Sequence, residues 1–557
     1  MATIQPLPAD VINIIAAGEV IDSVAAVVRE LVENAIDAGA GRIAIALDLD
    51  QWRIQVADDG QGMDRDNLRS CAQPHSTSKI HTTADLWRIT SLGFRGEALQ
   101  SIAQLSQLEI RSRPSLAALG WRASYDQRGE VIAMEPDAIA PGTIITVHDL
   151  FGRIPVRRHG LPAESQQLKE IQTLIHHFAL CYPRLHWQIS RGDRPWLKLF
   201  PGESPQDILP QLLPRTQPGD FAQFTQTQLP DYPDAQIQVV VGLPDRCHRR
   251  RADWLKVAIN GRWVRSPALE QTLLASMSRT LPKHRYPIAF LHLTLPPAQI
   301  DWNRHPAKTE VYLHHLDFWR DRVRESIDQA LRLSPADLTP TAHNQRLGTV
   351  FKAAASAGTY TLDRQVTPLT AIPQASIRMP LRVVAQVNQM YIVAEHEHGL
   401  WLIEQHIAHE RVLFEQLQAA WQLVELDPPL IVAGWRDRQV EQLQRIGITV
   451  DVFGENLWAV RHCPALLAER EDCMDALVEL SLGGDLETAQ VATACRSAIR
   501  NGTPLSLPAM QTLVEQWQRT HNPRTCPHGR PIYLALDETS LSRFFRRHWV
   551  VGKSHGL

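Results

Sequence analysis

Between residues 27 and 38 apolar side chains recur at helical spacing. Gly39 follows as a candidate left-handed cap, so the pattern predicts a helix that stops at Ala38. The period then drops to two. Ile43, Ile45, Leu47 and Leu49 alternate with polar neighbours, and Trp52, Ile54 and Val56 do so after a short Asp50-Gln51 turn, the pattern of a β-hairpin. Helical spacing returns over 168–178 and closes a first domain. From 204 to 332, strand patterns at 236–242, 254–260 and 288–295 precede a helix at 317–331, a second α/β domain. Periodicity then fades. Across 333–379 Pro, Ala, Ser and Thr dominate, a composition that buries too little surface to offset ordering entropy. A flexible linker of that length has an r.m.s. span of roughly 35–40 Å. Beyond it, strand-like stretches at 383–394 and 400–403 frame a His-Glu-His-Gly turn before another helix. The expected division is therefore 1–203, 204–332, 333–379 and 380–557, in an α+β multidomain chain.

Composition narrows the class. Lys and Arg number 57 against 60 Asp and Glu, a net charge of −3, which excludes a uniformly basic nucleic-acid coat but leaves room for a local basic patch. No apolar run reaches the ~20 residues that span a bilayer, and the first residues lack a basic leader. Seven scattered cysteines argue against a disulfide framework, so a cytoplasmic protein with no membrane partner is expected.

The first domain carries candidate nucleotide chemistry. At ~100° per residue, Glu30, Asn34 and Asp37 share one face of the first helix, which taken alone reads as a solvated polar stripe. The strand pattern ending at Asp58 runs into Asp59-Gly60-Gln61-Gly62, where glycines let backbone approach a ligand. Ser91 to Leu99 (SLGFRGEAL) places Gly93 and Gly96 ahead of a helix whose free N–H groups suit phosphate. Gly142-Thr143 leads a further strand. There is no P-loop.

These blocks, in this order, resemble the ATPase domain common to gyrase B, histidine kinases and the MutL family of mismatch-repair proteins. The stretches at 16–20 (AAGEV), 30–40 (ELVENAIDAGA), 75–80 (HSTSKI) and 303–311 (NRHPAKTEV) narrow the resemblance to MutL. It implies a GHKL-type ATPase α/β sandwich followed by a second α/β domain shared with gyrase B. Glu30 would be the general base, Asn34 a Mg²⁺ ligand, Asp58 the acceptor for the adenine amino group and Thr143 its support. Asp37, Gly60, Gly62 and Thr77 would complete the ATP site, with Gly93, Phe94, Arg95 and Gly96 as a lid and Lys308 reaching the γ-phosphate. Asp59, Pro74 and Val24 depart from the family's usual Asn, Arg and Pro.

The segment 246–251 (RCHRRR), followed by 260–265 (NGRWVR), is the densest positive cluster. Alone it reads as easily as a solvated turn. The resemblance implies a DNA-backbone groove using Arg246, Arg249, Arg250, Arg251, Arg262 and Arg265, salt-dependent and indifferent to sequence.

In the C-terminal part, His406 and Glu410 stand four apart on one helix face, good metal-ligand spacing though common among surface residues. Glu415 would point the opposite way and is not proposed as a ligand of the same ion. Ala494-Cys495-Arg496 is expected to open a helix, and Cys526-Pro527-His528-Gly529-Arg530-Pro531 offers a thiolate and an imidazole. With Phe544-Phe545-Arg546, this set resembles the endonuclease-type C-terminal dimerisation domain of MutL proteins. That implies a site of His406, Glu410, Cys495, Cys526 and His528 for Zn²⁺ and/or Mn²⁺, with Glu404 taking part in cleavage. Glu404 replaces the family's Asp and Ile407 its Ala. Residues 424–429 (VELDPP) keep only part of a sliding-clamp-binding peptide and read equally well as a plain turn. The resemblance implies an ATP- and Mg²⁺-dependent homodimeric DNA clamp in mismatch repair. MutS and the replication clamp would be its partners, and it would nick DNA or, alternatively, act as a non-cleaving matchmaker.

Overall fold

The computed structural model describes residues 9–80, 82, 91–93, 96–227, 229–301, 311–333, 381–396 and 399–537. The expected linker beyond residue 333, Phe94, Arg95, Lys308 and the 544–546 motif lie outside the described residues.

A helix over Ala9–Val20 precedes the expected one, Val24–Asp37, which begins earlier than its apolar spacing suggests because Ser23 caps it, accepting from the Ala26 N–H at 3.1 Å. Gly39, at φ +73°, ends it as expected. Strands β1 (Arg42–Asp48) and β2 (Arg53–Asp58) form the expected antiparallel hairpin, with Ile43, Ile45 and Leu47 buried. With β3 (Gln107–Arg113), β4 (Gly120–Tyr125), β5 (Val131–Asp137), β6 (Gly142–His148), β7 (His186–Arg191) and β8 (Arg194–Leu199) they make an eight-stranded sheet. Its order is β5-β4-β3-β6-β2-β1-β7-β8, and β1 and β7 pair in parallel after the long helix Glu164–Cys181 returns the chain.

The next sheet contains β9 (Phe221–Gln226), β10 (Gln236–Gly242), β11 (Leu255–Ile259), β12 (Arg262–Trp263) and β13 (Ala289–Thr294), in the order β12-β11-β13-β10-β9. Both its faces are buried, which explains the continuous apolar run in β10. Val239, Val241, Val257 and Leu291 pack with the helices Pro267–Met277 and Leu316–Leu331. Val240, Ala258 and Phe290, one residue out of phase, join the core of the first sheet instead.

Toward the C-terminus, the strands Arg382–Val387, Tyr391–His396, Gly399–Glu404 and Tyr533–Asp537 form a four-stranded sheet in that order. The single strand expected over 383–394 is two, broken where Asn388 and Gln389 both take φ +51°. A three-stranded sheet pairs Leu423–Ala433 and Val450–Gly454 with Leu457–Pro464. Residues 424–429 therefore belong to a strand, irregular between Glu425 and Leu430, and not to a turn. Cys495 does not open a helix either. Asp485 starts that helix, Leu486–Ser497, by accepting from the Thr488 N–H at 2.8 Å, which leaves Cys495 near its end. No helix among the described residues is long and apolar enough to cross a membrane.

Candidate nucleotide pocket and metal cluster

Asp58 ends β2 opposite Thr143 on β6. Its Oδ1 accepts from the Gly60 N–H at 2.9 Å, and burial pushes its carboxyl up to about 6 against that bond's opposing pull. Thr143 is buried and shares a 2.9 Å hydroxyl contact with Ser112, whose oxygen also accepts from the Met63 N–H at 2.7 Å. Ser112 has no signal in the sequence; only the β3–β6 pairing reveals it. The glycines are required by space. A Cβ on Gly60 would stand 2.8 Å from the Ala38 carbonyl, and one on Gly62, at φ +70°, would stand 2.2 Å from that of Arg113.

The helix Val24–Asp37 presents Glu30, Asn34 and Asp37 beside this turn. Glu30 is largely buried and lies 3.3 Å from the Arg29 guanidinium. Asp37 accepts from the Leu92 N–H at 2.8 Å and the Gly93 N–H at 2.9 Å, so it fixes the glycine segment. Lys79 joins them, its Nζ 2.5 Å from Asp37 and 3.2 Å from the Asn34 amide oxygen. A cation therefore already stands among the oxygens expected to meet Mg²⁺ and phosphate. Lys79 lies in the 75–80 stretch but has no role assigned by sequence alone. Thr77 sits two residues before it and accepts its N–H at 3.2 Å, and Gly96, at φ +65°, packs so closely on Ser76 that a Cβ would come within 2.7 Å of its carbonyl.

Two of the six arginines expected to face DNA do not. Arg246 is buried, 3.4 Å from Asp245, and donates to the Gly219 carbonyl at 2.7 Å. Arg262 is buried against Glu33 at 3.6 Å. Burying a guanidinium is tolerable only beside such partners, and neither side chain can then reach a phosphate. Arg249 pairs with Asp253 at 2.8 Å, while Arg250, Arg251 and Arg265 are exposed.

In the C-terminal part, strand Tyr533–Asp537 pairs with Gly399–Glu404, and so lays the 526–531 loop against the helix Gln405–Ala419. Ligand atoms of Glu410, Cys526 and His528 converge within 4.8 Å of one another. Glu410 Oε1 and His528 Nδ1 are 2.8 Å apart but not aligned as donor and acceptor. Burial raises the Glu410 pKa, yet contact with His528, Arg530 and Cys526 outweighs it and the carboxyl lies below its ordinary range. His528 is pushed up to about 9 by Cys526 and then Glu410. Nitrogen, oxygen and sulfur donors around one concentrated negative charge fit a borderline divalent cation such as Zn²⁺.

The other expected site residues, His406, Cys495 and Glu404, are not among that trio. Cys495 touches Glu410, and burial followed by that carboxylate pushes its thiol up to about 11. His406 Nδ1 donates to the Ile499 carbonyl at 2.9 Å, which leaves Nε2 as the lone-pair nitrogen. Glu404 caps the helix by accepting the Ile407 N–H at 2.5 Å, and its other oxygen is buried without a hydrogen bond among the described residues. Glu415 accepts from the His521 and Asn522 N–H groups, away from the cluster as expected. Arg411, which the sequence does not single out, is buried and donates to the carbonyls of Thr525 and Arg279.

Three sequence families match. The histidine kinase-, DNA gyrase B- and HSP90-like ATPase family matches residues 22–138, the DNA mismatch repair protein C-terminal domain 221–332, and the MutL C-terminal dimerisation domain 384–505. The chain is 60% identical over 559 residues to the DNA mismatch repair protein MutL of Rippkaea orientalis, covering 100% of this chain and 99% of that one. It is 57% identical over 557 residues to that of Crocosphaera subtropica, at 100% and 99% coverage, and 32% identical over 571 residues to that of Methanothrix thermoacetophila, at 98% and 100%. Among solved structures, the N-terminal domain of a DNA repair protein is 24% identical and covers 56% of this chain and 97% of its own, with a TM-score of 0.48. Built on an ATPase-type sheet, with its pocket motifs in register and matched end to end by such relatives, the chain belongs to the MutL family of DNA mismatch repair proteins.

Proposed function

We propose that this mismatch-repair ATPase is a homodimeric, ATP-gated DNA clamp that also nicks DNA at its C-terminal cluster. The working parts are an ATPase domain (1–203), a DNA-groove domain (204–332), a linker (333–379) and a dimerisation and nuclease domain (380–557). The setting is the cytoplasm, with MutS as the mismatch-recognising partner. At the first site Asp58 accepts the adenine amino group. Glu30 takes the proton from the water that attacks the γ-phosphorus as the bond to the ADP oxygen breaks. Asn34 would hold Mg²⁺, which supplies neutralisation of phosphate charge. Lys79 already marks that spot as one that accepts a cation. Lys308 would meet the γ-phosphate, and Arg250, Arg251 and Arg265 the DNA backbone.

The convergence of Glu410, Cys526 and His528 carries the nuclease reading. A Zn²⁺ or Mn²⁺ bound there would supply Lewis acidity toward a phosphodiester; Glu410, Cys526 and His528 would hold it, and Arg530, 3.0 Å from Glu410, orients that carboxylate. The test is Mn²⁺-dependent conversion of supercoiled plasmid to open circles. Wild type nicks, and Glu410→Gln and Cys526→Ser lose at least nine-tenths of the rate while melting as folded proteins. One observation favours the second reading, a non-cleaving matchmaker with a structural metal: Glu404 spends an oxygen on its helix cap. Wild-type nicking no faster than either variant decides for it.

A further inference from the structure

The buried ion pair between Arg262 and Glu33 joins two sheets at the helix that carries the ATPase groups. Glu33 sits about 60° round the helix Val24–Asp37 from Glu30 and is the residue before Asn34. Arg262 comes from the β11–β12 hairpin, whose turn is Asn260 and Gly261 at φ +48° and +77°, the two left-handed residues a tight hairpin needs. That turn is keyed to the first domain. A Cβ on Gly261 would stand 2.0 Å from the Tyr182 hydroxyl, and Trp263 stacks on His177 with centroids 4.7 Å apart and planes at 9°. The guanidinium and carboxylate are 3.6 Å apart, with side chains only 9% and 6% exposed. Packing alone would be served as well by apolar side chains, because burying two charges costs desolvation. What an ion pair adds is a fixed direction. Arg265, exposed three residues on, is on the same segment as Arg262.

We infer that Arg262 is a positioning residue for ATP turnover: through Glu33 it sets the rotation of the helix bearing Glu30, and so couples DNA on the basic face of the second domain to hydrolysis. This rests on Glu30 being the base. No catalytic contact by Arg262 is involved. Misplacing Glu30 by a fraction of an ångström is enough, since ~1 Å can cost about 100-fold in rate.

The experiment uses the full chain and measures ATP turnover with and without a mixed-sequence duplex oligonucleotide at low salt, together with binding of a fluorescent ATP analogue. Arg262→Met is expected to lower kcat about tenfold, leave nucleotide Kd within about threefold, and abolish the response to DNA. Arg262→Lys should recover at least about a third of kcat, and Glu33→Arg combined with Arg262→Glu should exceed either single change. Wild-type kcat and DNA response in Arg262→Met overturn the inference. So does a wild type indifferent to DNA, or parallel loss of binding and turnover that neither Arg262→Lys nor the charge swap relieves. Should Arg262→Met not fold, Arg262→Lys decides: kcat reduced with binding intact supports the linkage, and wild-type behaviour overturns it. Glu30→Ala is the reference. Full turnover there sinks the assignment of the base, a failure distinct from an inert Arg262.

Discussion

The nucleotide pocket and the C-terminal cluster solve the same problem, holding carboxylates where charge must be met, in opposite ways. The pocket draws on neighbours in one sheet and the helix beside it, and it keeps Asp58 buried without a cationic partner among the described residues, so that its carboxyl rises to about 6. The cluster gathers Glu410 and His528 across 118 residues of chain, and sets His528 and Arg530 against the carboxylate, so that Glu410 falls below its ordinary range. A carboxylate left without such a partner is poised for a ligand that brings hydrogen-bond donors. A site already neutralised from within is poised to exchange a proton for a metal. The contrast lies in electrostatics, and it can be broken at defined points.

The largest effect is expected at the base. Glu30→Ala should retain nucleotide Kd within about threefold and lose turnover by on the order of 100- to 10,000-fold, because proton acceptance is needed only as water attacks. Steady-state hydrolysis beside equilibrium binding checks it; residual turnover near wild type would mean another base. Next comes the wall of the pocket. Gly142 takes φ +124°, and a Cβ there would lie 2.0 Å from the Asp58 carbonyl. Gly142→Ala should therefore destabilise the protein by about 3 kcal/mol and weaken nucleotide binding with it. Chemical denaturation of the two proteins settles the point, and an unchanged midpoint would show that the β2–β6 edge yields.

The pH response is smaller and directly tests the comparison. Asp58 has its folded pKa raised, so it takes up a proton as pH falls through about 6. Adenine donors favour the ionised form, so ATP-analogue affinity should be steady above pH 7 and drop about tenfold by pH 5. Asp58→Asn should flatten that profile. The sign for folding is the reverse: a raised carboxyl pKa contributes stability that is present at low pH and lost as pH climbs through 6. His177 behaves oppositely. Burial, then Lys256 and His176, hold it down to about 3, so its contribution is present above pH 6.5 and lost as the solution is acidified toward 3.

Much of this is legible in the sequence alone. The period switch at residue 42, the Gly39 stop and the strands β10, β11 and β13 sit within a residue or two of where spacing puts them, because each buries a regular set of side chains. The misses share one cause. Arg246 and Arg262 look like DNA contacts in a basic run, and only tertiary packing turns them inward toward Asp245 and Glu33. A local signal was available for Arg262, since Asn260-Gly261 marks a hairpin and makes it a strand residue. Cys495 reads as a helix start because the cap, Asp485, lies ten residues before it. Lys79, Ser112 and Arg411 carry no pattern of their own; the partners that place their side chains at the two sites are 31 to 132 residues away.

The smallest effect is expected at Glu404, where the sequence suggests the most serious departure from the family. An extra methylene in a metal ligand would misplace an oxygen by about 1 Å and cost about 100-fold in rate. The structure puts Glu404 at the head of the helix Gln405–Ala419, accepting the Ile407 N–H, while Glu410, Cys526 and His528 form the converging trio without it. An aspartate caps a helix at least as well as a glutamate, so Glu404→Asp should change Mn²⁺-dependent nicking by less than about threefold and leave the melting temperature nearly unmoved. Glu404→Ala removes the cap and should cost about 1 kcal/mol. A large gain in nicking by Glu404→Asp would instead place this carboxylate on the metal, drawn there by its second, buried oxygen. The cluster would then be an open site awaiting a ligand, as the nucleotide pocket is, and the electrostatic contrast between the two centres would disappear.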